Sequence, residues 1–303
     1  MEDNQASLTA LLTAFVRAYH AWHDTPPIFA DFLARQLFTE AEYQAIGQKL
    51  AASLSFFAPE QAEAVADPES ALAWVIQHMM STTLSRSRFA EDALEDALRD
   101  GVSQYVLLGA GMDSFAWRRP DLLRQLQVFE LDHPATQADK RRRIARAGWE
   151  QPAQLHFIPV DLSKEDLTTA LRRSPYDPQK LTCFGWLGVS LYLPRAVVWQ
   201  TLRVLAALAP AGSTIVFDYL DAAAFAPGQA AKDIQLVQEI VRRIGEPMQA
   251  GLAPARLAAG LKQSGWLLRE NLDPAAIEQR FFAGRHDDYH ASTHLHYARA
   301  IIA

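Results

Sequence analysis

The residues whose types and spacing could do chemistry gather in two stretches, Tyr105-Val-Leu-Leu-Gly-Ala-Gly-Met-Asp113 and Val128-Phe-Glu-Leu-Asp132. In each, a short apolar run stops abruptly at small or acidic residues. Gly109 and Gly111, with Ala110 between them, let a backbone turn sharply and lie close against a ligand. A carboxylate closing the next apolar run, roughly twenty residues on, suits the two hydroxyls of a ribose. Asp132 holds that position, and Glu130, on the same strand face, is the alternative. A loop that binds a dinucleotide pyrophosphate calls for a third glycine. Ser114 stands there instead, and Asp113 would set negative charge against a diphosphate. Adenosylmethionine has no phosphate, and its amino group welcomes a carboxylate such as Asp113. The pattern therefore favours S-adenosylmethionine over NAD as cofactor.

Other reactive side chains offer less. Cys183 is the only cysteine, so a disulfide framework and a thiolate zinc site are both excluded. It lies in the apolar run Leu181–Leu187 and reads as a small core residue. His286, His290 and His294 have helical spacing, whereas His294 and His296 share a strand face. The two geometries are incompatible, and no metal is expected. If the methyl acceptor is a hydroxyl, a base is needed, and the candidates are Tyr19, His20, His23 and Tyr192. Tyr192 is preferred because it follows the fourth apolar run, near where an acceptor should sit. Lys140-Arg-Arg-Arg143 with Arg146 reads as a solvated helix face, and a net charge of −6 leaves no broad footprint for nucleic acid.

The elements that must position these groups follow from periodicity. Up to about residue 100 the patterns are helical: Leu8 to Tyr19, then Ile28 to Leu37, a stretch after Pro68 through Met79, and another from Phe89 to Leu98. After Gly101 short apolar runs alternate with helical stretches. The runs are Tyr105–Leu108, Val128–Leu131, Leu155–Val160, Leu181–Leu187 and Thr214–Phe217, closed by Trp266–Arg269 and Leu295–Ile302. Helices are expected around Leu122–Leu126, Pro134–Ala147, Glu165–Arg172, Arg195–Leu208, Ile234–Ile244 and Pro254–Gln263. This alternation predicts an α/β fold with a mostly parallel sheet covered on both faces. Residues 1–100 form an expected helical cover packed on a core of residues 101–303. Glu2, Asp3, Arg17, His20 and His23 do not suit a leader peptide, so a cytoplasmic location is expected.

Leu108-Gly-Ala-Gly-Met-Asp-Ser-Phe-Ala-Trp-Arg118, followed by Phe129-Glu-Leu-Asp-His-Pro134, resembles the leucine carboxyl methyltransferase family and its bacterial relatives. Further stretches match in family order: Arg17-Ala-Tyr-His20, Ser85-Arg-Ser-Arg-Phe89, Val160-Asp-Leu162, Trp186-Leu-Gly-Val-Ser-Leu-Tyr-Leu193, Gly212-Ser-Thr-Ile-Val-Phe-Asp-Tyr219 and Arg280-Phe-Phe-Ala-Gly-Arg285. The resemblance implies a class I methyltransferase sheet, Rossmann-like, with six parallel strands and one antiparallel strand inserted near the end. It implies that Arg86 pairs with the methionine carboxylate, that Gly109 and Gly111 line the loop, and that Asp132 holds the ribose. Asp161 and Leu162 would frame the adenine. Leu187 occupies the place of a glutamate in the eukaryotic pattern, a departure that sets the chain apart from the phosphatase-directed members.

The expected activity is S-adenosylmethionine-dependent O-methylation of a carboxylate or hydroxyl on a small molecule, without nucleic-acid or membrane partners. The competing readings are an NAD-dependent oxidoreductase and a non-catalytic nucleotide-binding protein.

Overall fold

Seven strands form one sheet: β1 (Gln104–Leu108), β2 (Gln127–Asp132), β3 (Leu155–Pro159), β4 (Thr182–Trp186), β5 (Thr214–Leu220), β6 (Trp266–Leu272) and β7 (Leu295–Ile302). The structure, a computed structural model, describes residues 6–65, 67–161, 164–243 and 245–303. Strand order is β3-β2-β1-β4-β5-β7-β6. β7 runs antiparallel between β5 and β6, and the pairs among β1 to β5 are parallel. The α/β reading with one antiparallel strand inserted near the end therefore holds. The chain reverses strand order beside β1, so the carboxyl ends of β1, β2 and β4 flank one crevice, where open α/β sheets bind ligands.

Before the sheet come α1 (Leu8–His23), α2 (Glu40–Ala52), α3 (Leu54–Phe57), α4 (Pro59–Ala64), α5 (Pro68–Met79) and α6 (Thr82–Arg99). Between and after the strands lie α7 (Phe115–Arg118), α8 (Pro120–Leu123), α9 (Pro134–Arg146), α10 (Leu167–Arg172), α11 (Arg195–Leu208), α12 (Lys232–Arg243), α13 (Pro254–Gln263) and α14 (Pro274–Ile277). Alternation along β1 explains the layers. Val106 and Leu108 pack with Leu171, Leu202 and Leu261 from α10, α11 and α13, while Tyr105 and Leu107 face Leu94 of α6 and Phe115 of α7. A third cluster joins Phe15 of α1 and Phe89 of α6 to Val216, Leu220 and Tyr297 of the sheet. Burial of these side chains contributes roughly 1.5–3 kcal/mol each.

Two expectations are corrected. The segment from Ile28 to Leu37 is not an α-helix; only Ala34–Leu37 forms a short 3-10 turn. Its backbone donors are claimed by side chains: the Ile28 N–H donates to His20 Nε2 at 2.7 Å and the Ala34 N–H to Asp31 Oδ1 at 3.1 Å. Nor is the basic run on α9 a uniformly solvated face. Arg141 and Arg142 are exposed, but Lys140 and Arg143 are buried. Their charges are met locally, Lys140 by Glu130 and Arg143 by Asp139 and the Leu37 carbonyl.

Candidate active site

The glycine loop is held by the strand next to it. Gly109 and Ala110 both donate N–H groups to the Leu131 carbonyl, at 2.8 and 3.1 Å. Gly109 has φ of +71°, and a Cβ there would lie 2.5 Å from Val189 Cγ2. A side chain is thus excluded twice, by backbone conformation and by space. Asp132 closes β2 beside the loop: Oδ2 accepts from the Gly111 N–H at 2.5 Å and Oδ1 from the His133 N–H at 2.6 Å. Burial pushes its carboxyl above the usual aspartate range, although both N–H groups pull the other way. The Val160 N–H donates to the Asp132 carbonyl, which brings the end of β3 alongside. Asp161 follows, with Oδ2 3.9 Å from His133 Nε2 and 3.1 Å from Lys164 Nζ. Gly109, Ala110, Gly111, Asp132 and Asp161 are therefore brought to one edge. Leu162 lies outside the described residues.

Asp113 turns its carboxylate onto the Phe115 N–H at 2.7 Å, at the start of α7. Glu130, the alternative ribose acid, points elsewhere: it is 1% exposed and its Oε2 lies 2.5 Å from Lys140 Nζ. Burial drives its carboxyl up to about 7 despite the lysine. Sharing a strand face with Asp132 does not give it access, because α9 covers the face one pleat below the edge.

On the other side of β1, Arg86 reaches from α6 to the ends of β4 and β5. Its Nη1 lies 3.2 Å from Asp218 Oδ2, and Asp218 Oδ1 accepts the Gly188 N–H at 2.6 Å. A Cβ on Gly188 would come within 2.7 Å of the guanidinium, so the missing side chain leaves the room that Arg86 fills. Asp218 is fully buried, and sequence reasoning gave it no role. The available signal was an acid within the apolar run of β5, which needs a buried partner. Asp31 was missed in the same way. It accepts from Arg17 Nε at 2.9 Å and Ser114 Oγ at 2.7 Å, while Arg17 Nη2 donates to the Met112 carbonyl at 2.7 Å. This buried network fastens α1 to the glycine loop, and Ala10 lies 3.2 Å from where a Gly111 Cβ would be.

A cavity of about 250 Å³ opens between α1, α5, α12 and the segment after β4. Its wall is mostly apolar, with Arg86, Tyr192, Thr9 and Asp233 among the polar groups. Tyr192 follows β4 in a short turn, and burial pushes its phenol up to about 12. That favours a neutral hydroxyl over a phenolate base. Of the other base candidates, His20 donates from Nδ1 to Asp24 at 2.7 Å and accepts at Nε2, so both nitrogens are engaged. His23 stacks on Tyr19, whose phenol burial raises to about 12. Burial lifts the Cys183 thiol to about 11. His294 Nε2 accepts from the Ala231 N–H and His296 stacks on Tyr219; among the described residues no metal-binding cluster forms.

The Leucine carboxyl methyltransferase profile matches residues 10–206, about two thirds of the chain. The chain belongs to the leucine carboxyl methyltransferase family. A Bacillus subtilis (strain 168) protein, YktD, whose name places it provisionally among the S-adenosyl-L-methionine-dependent methyltransferases, is 39% identical over 99% of both chains. A Mycobacterium marinum relative with the same provisional description is 28% identical over 79% of this chain and 71% of its own. Among solved structures, a Thermobifida fusca YX protein provisionally named a methyltransferase superposes with a TM-score of 0.59. It covers 99% of this chain and 96% of its own at 13% identity, a likeness of fold. No described helix is long and apolar enough to cross a membrane.

Proposed function

We propose that the chain transfers a methyl group from S-adenosylmethionine to an oxygen of a small-molecule acceptor, a carboxylate or a hydroxyl. The carrying observation is the set of groups gathered at one sheet edge. Asp132 ends β2 and Asp161 follows the end of the adjacent β3, Arg86 stands across β1 from them, and a side-chain-free loop lies between. These groups fit the cofactor's parts. Asp132 takes the ribose hydroxyls, Asp161 with Leu162 the adenine, Arg86 the methionine carboxylate and Asp113 its ammonium. Gly109, Ala110 and Gly111 supply the close backbone. When bound, the cofactor supplies an electrophilic methyl on a cationic sulfur. The chain's own contribution is alignment, an effect that can supply roughly 7–11 kcal/mol.

A dinucleotide fits poorly. Asp113 sets negative charge by the loop, and Arg17, a cation beside it, is already committed to Asp31 and the Met112 carbonyl. Residues 1–100 act as a cover, with α1 closing over the loop and Tyr192 orienting the acceptor as a hydroxyl donor. The test is calorimetric titration with S-adenosylhomocysteine and with NAD, on the wild type and on Asp132→Ala. S-adenosylhomocysteine is expected to bind and NAD not. The variant should stay folded and bind at least about tenfold more weakly, since charge-assisted hydrogen bonds contribute ~1.5–3 kcal/mol each. Equal binding of NAD would end the methyltransferase reading.

A further inference from the structure

Two histidines on the cavity wall have no part in the site so far described. His78, at the end of α5, stacks on Trp74 with ring centroids 4.2 Å apart, and its Nδ1 lies 3.0 Å from the Trp74 carbonyl oxygen. His290, on the segment before β7, has Nδ1 2.9 Å from the Asp288 carbonyl oxygen. The two rings meet edge to face, 5.5 Å apart at 71°. A carbonyl oxygen can only accept, so each Nδ1 carries the proton. In the neutral ring each Nε2 is then a lone-pair base. Among the described residues neither Nε2 has a partner, and both residues line the cavity. Ser292 Oγ, on the same wall, is buried without a partner among the described residues.

From this arrangement we infer that the acceptor is a phenolic hydroxyl on an aromatic body, and that the His78–His290 pair receives it and takes its proton. The inference rests on the methyltransferase reading above. Charge selects the hydroxyl over the carboxylate. Arg86 is the one arginine or lysine on the described wall, and the reading above commits it to the methionine carboxylate. A carboxylate entering this apolar space would be desolvated without a cation of its own. Acidity selects a phenol over an alkanol, because proton transfer is efficient when donor and acceptor pKa values are not far apart. A phenol titrates near ~10, and an alkanol hydroxyl is far less acidic. Shape selects the aromatic body: Met79, Met80, Met248 and Phe57 line the cavity, and thioethers make favourable contacts with ring edges.

In the step, one imidazole Nε2 accepts the phenol proton as the phenol oxygen bonds to the methyl carbon of the sulfonium donor. The carbon–sulfur bond breaks with its electron pair left on sulfur, and the imidazolium returns its proton to water. The other titratable groups on this wall are Asp233 of α12, Arg86 and Tyr192.

The experiment uses full-length protein saturated with S-adenosylhomocysteine, whose own affinity is measured first. Phenol and 2-naphthol are then titrated against benzoate and 2-naphthoate, with the wild type, His78→Gln, His290→Gln and the double variant. One or both hydroxyl compounds should bind and the carboxylates should not. The double variant should lose about tenfold in that affinity while binding S-adenosylhomocysteine as the wild type does. Nitrogen-15 histidine spectra of the wild type should show both rings as the Nδ1–H tautomer. Carboxylates binding as well as phenols, no binding of either phenol, a variant indifferent to the hydroxyl, or Nε2–H tautomers would each overturn the assignment. Failure of S-adenosylhomocysteine to bind would instead remove the methyltransferase reading, and this inference with it.

Discussion

At the scale of single residues, the sheet edge separates two acids that the sequence presents as near equivalents. Asp132 reaches the loop and Glu130 is sealed under α9 with Lys140. Burial raises the Glu130 carboxyl to about 7, so the folded chain holds its proton more tightly than the unfolded one. Its contribution therefore favours folding below the ordinary glutamate range and is lost as pH rises towards about 7. Lysine 140 offsets that burial. A Lys140→Met variant should be destabilised by about 3 kcal/mol at pH 8, where an unpaired carboxylate stays buried. At pH 5 the carboxyl is protonated and the loss should shrink. Urea unfolding at the two pH values measures this, and an equal loss at both would show that packing, not charge, is the cause.

At the scale of elements, the loop between β1 and α7 depends on backbone that no side chain crosses. Gly109→Ala places a Cβ against Val189 and in a left-handed conformation costing roughly 1–2 kcal/mol. The loop must shift, and S-adenosylhomocysteine affinity should fall by about tenfold or more. Gly148 is the matched control. It has the same φ of +71° but nothing within 4 Å of an added Cβ. Gly148→Ala should therefore cost stability of about 1 kcal/mol and leave affinity unchanged. Thermal unfolding and calorimetry on the pair separate conformational strain from steric exclusion; similar affinities in both variants would remove the loop from the binding site.

At the scale of the whole molecule, the Arg17–Asp31–Ser114 network and the Arg86–Asp218 pair join the N-terminal helices to opposite sides of the same edge. A ligand held by the loop and by Arg86 would thus be felt in α1 and α6. Hydrogen exchange with and without S-adenosylhomocysteine should show added protection in α1, around Arg86 and in the Gly109–Asp113 loop together. Protection confined to the loop and Asp132 would make the helical third a structural appendage. Binding at a hundredfold excess over Kd should also add ~2.7 kcal/mol to global stability, a rise in Tm that NAD should not reproduce.

Strand and helix positions were largely legible along the chain, because alternation and helical spacing are local properties that burial on one face enforces. All seven expected strands form, and α11 and α13 span the ranges that periodicity gives them. The glycine loop with the acid at the next strand tip was legible too, since φ above zero and a strand-end carboxylate leave marks on residue type. Partnership left no such mark. Which of Glu130 and Asp132 faces the edge, that Asp31 unwinds its own expected helix, and that Asp218 anchors Arg86 depend on residues 10 to 132 positions apart in the chain. Buried charges must be paired, but only the packing of α1, α6 and α9 on the sheet decides with whom. The same holds for the histidines His78 and His290. Their spacing carries no signal, and only the fold brings two rings 212 positions apart to one cavity wall with both Nδ1 protons committed.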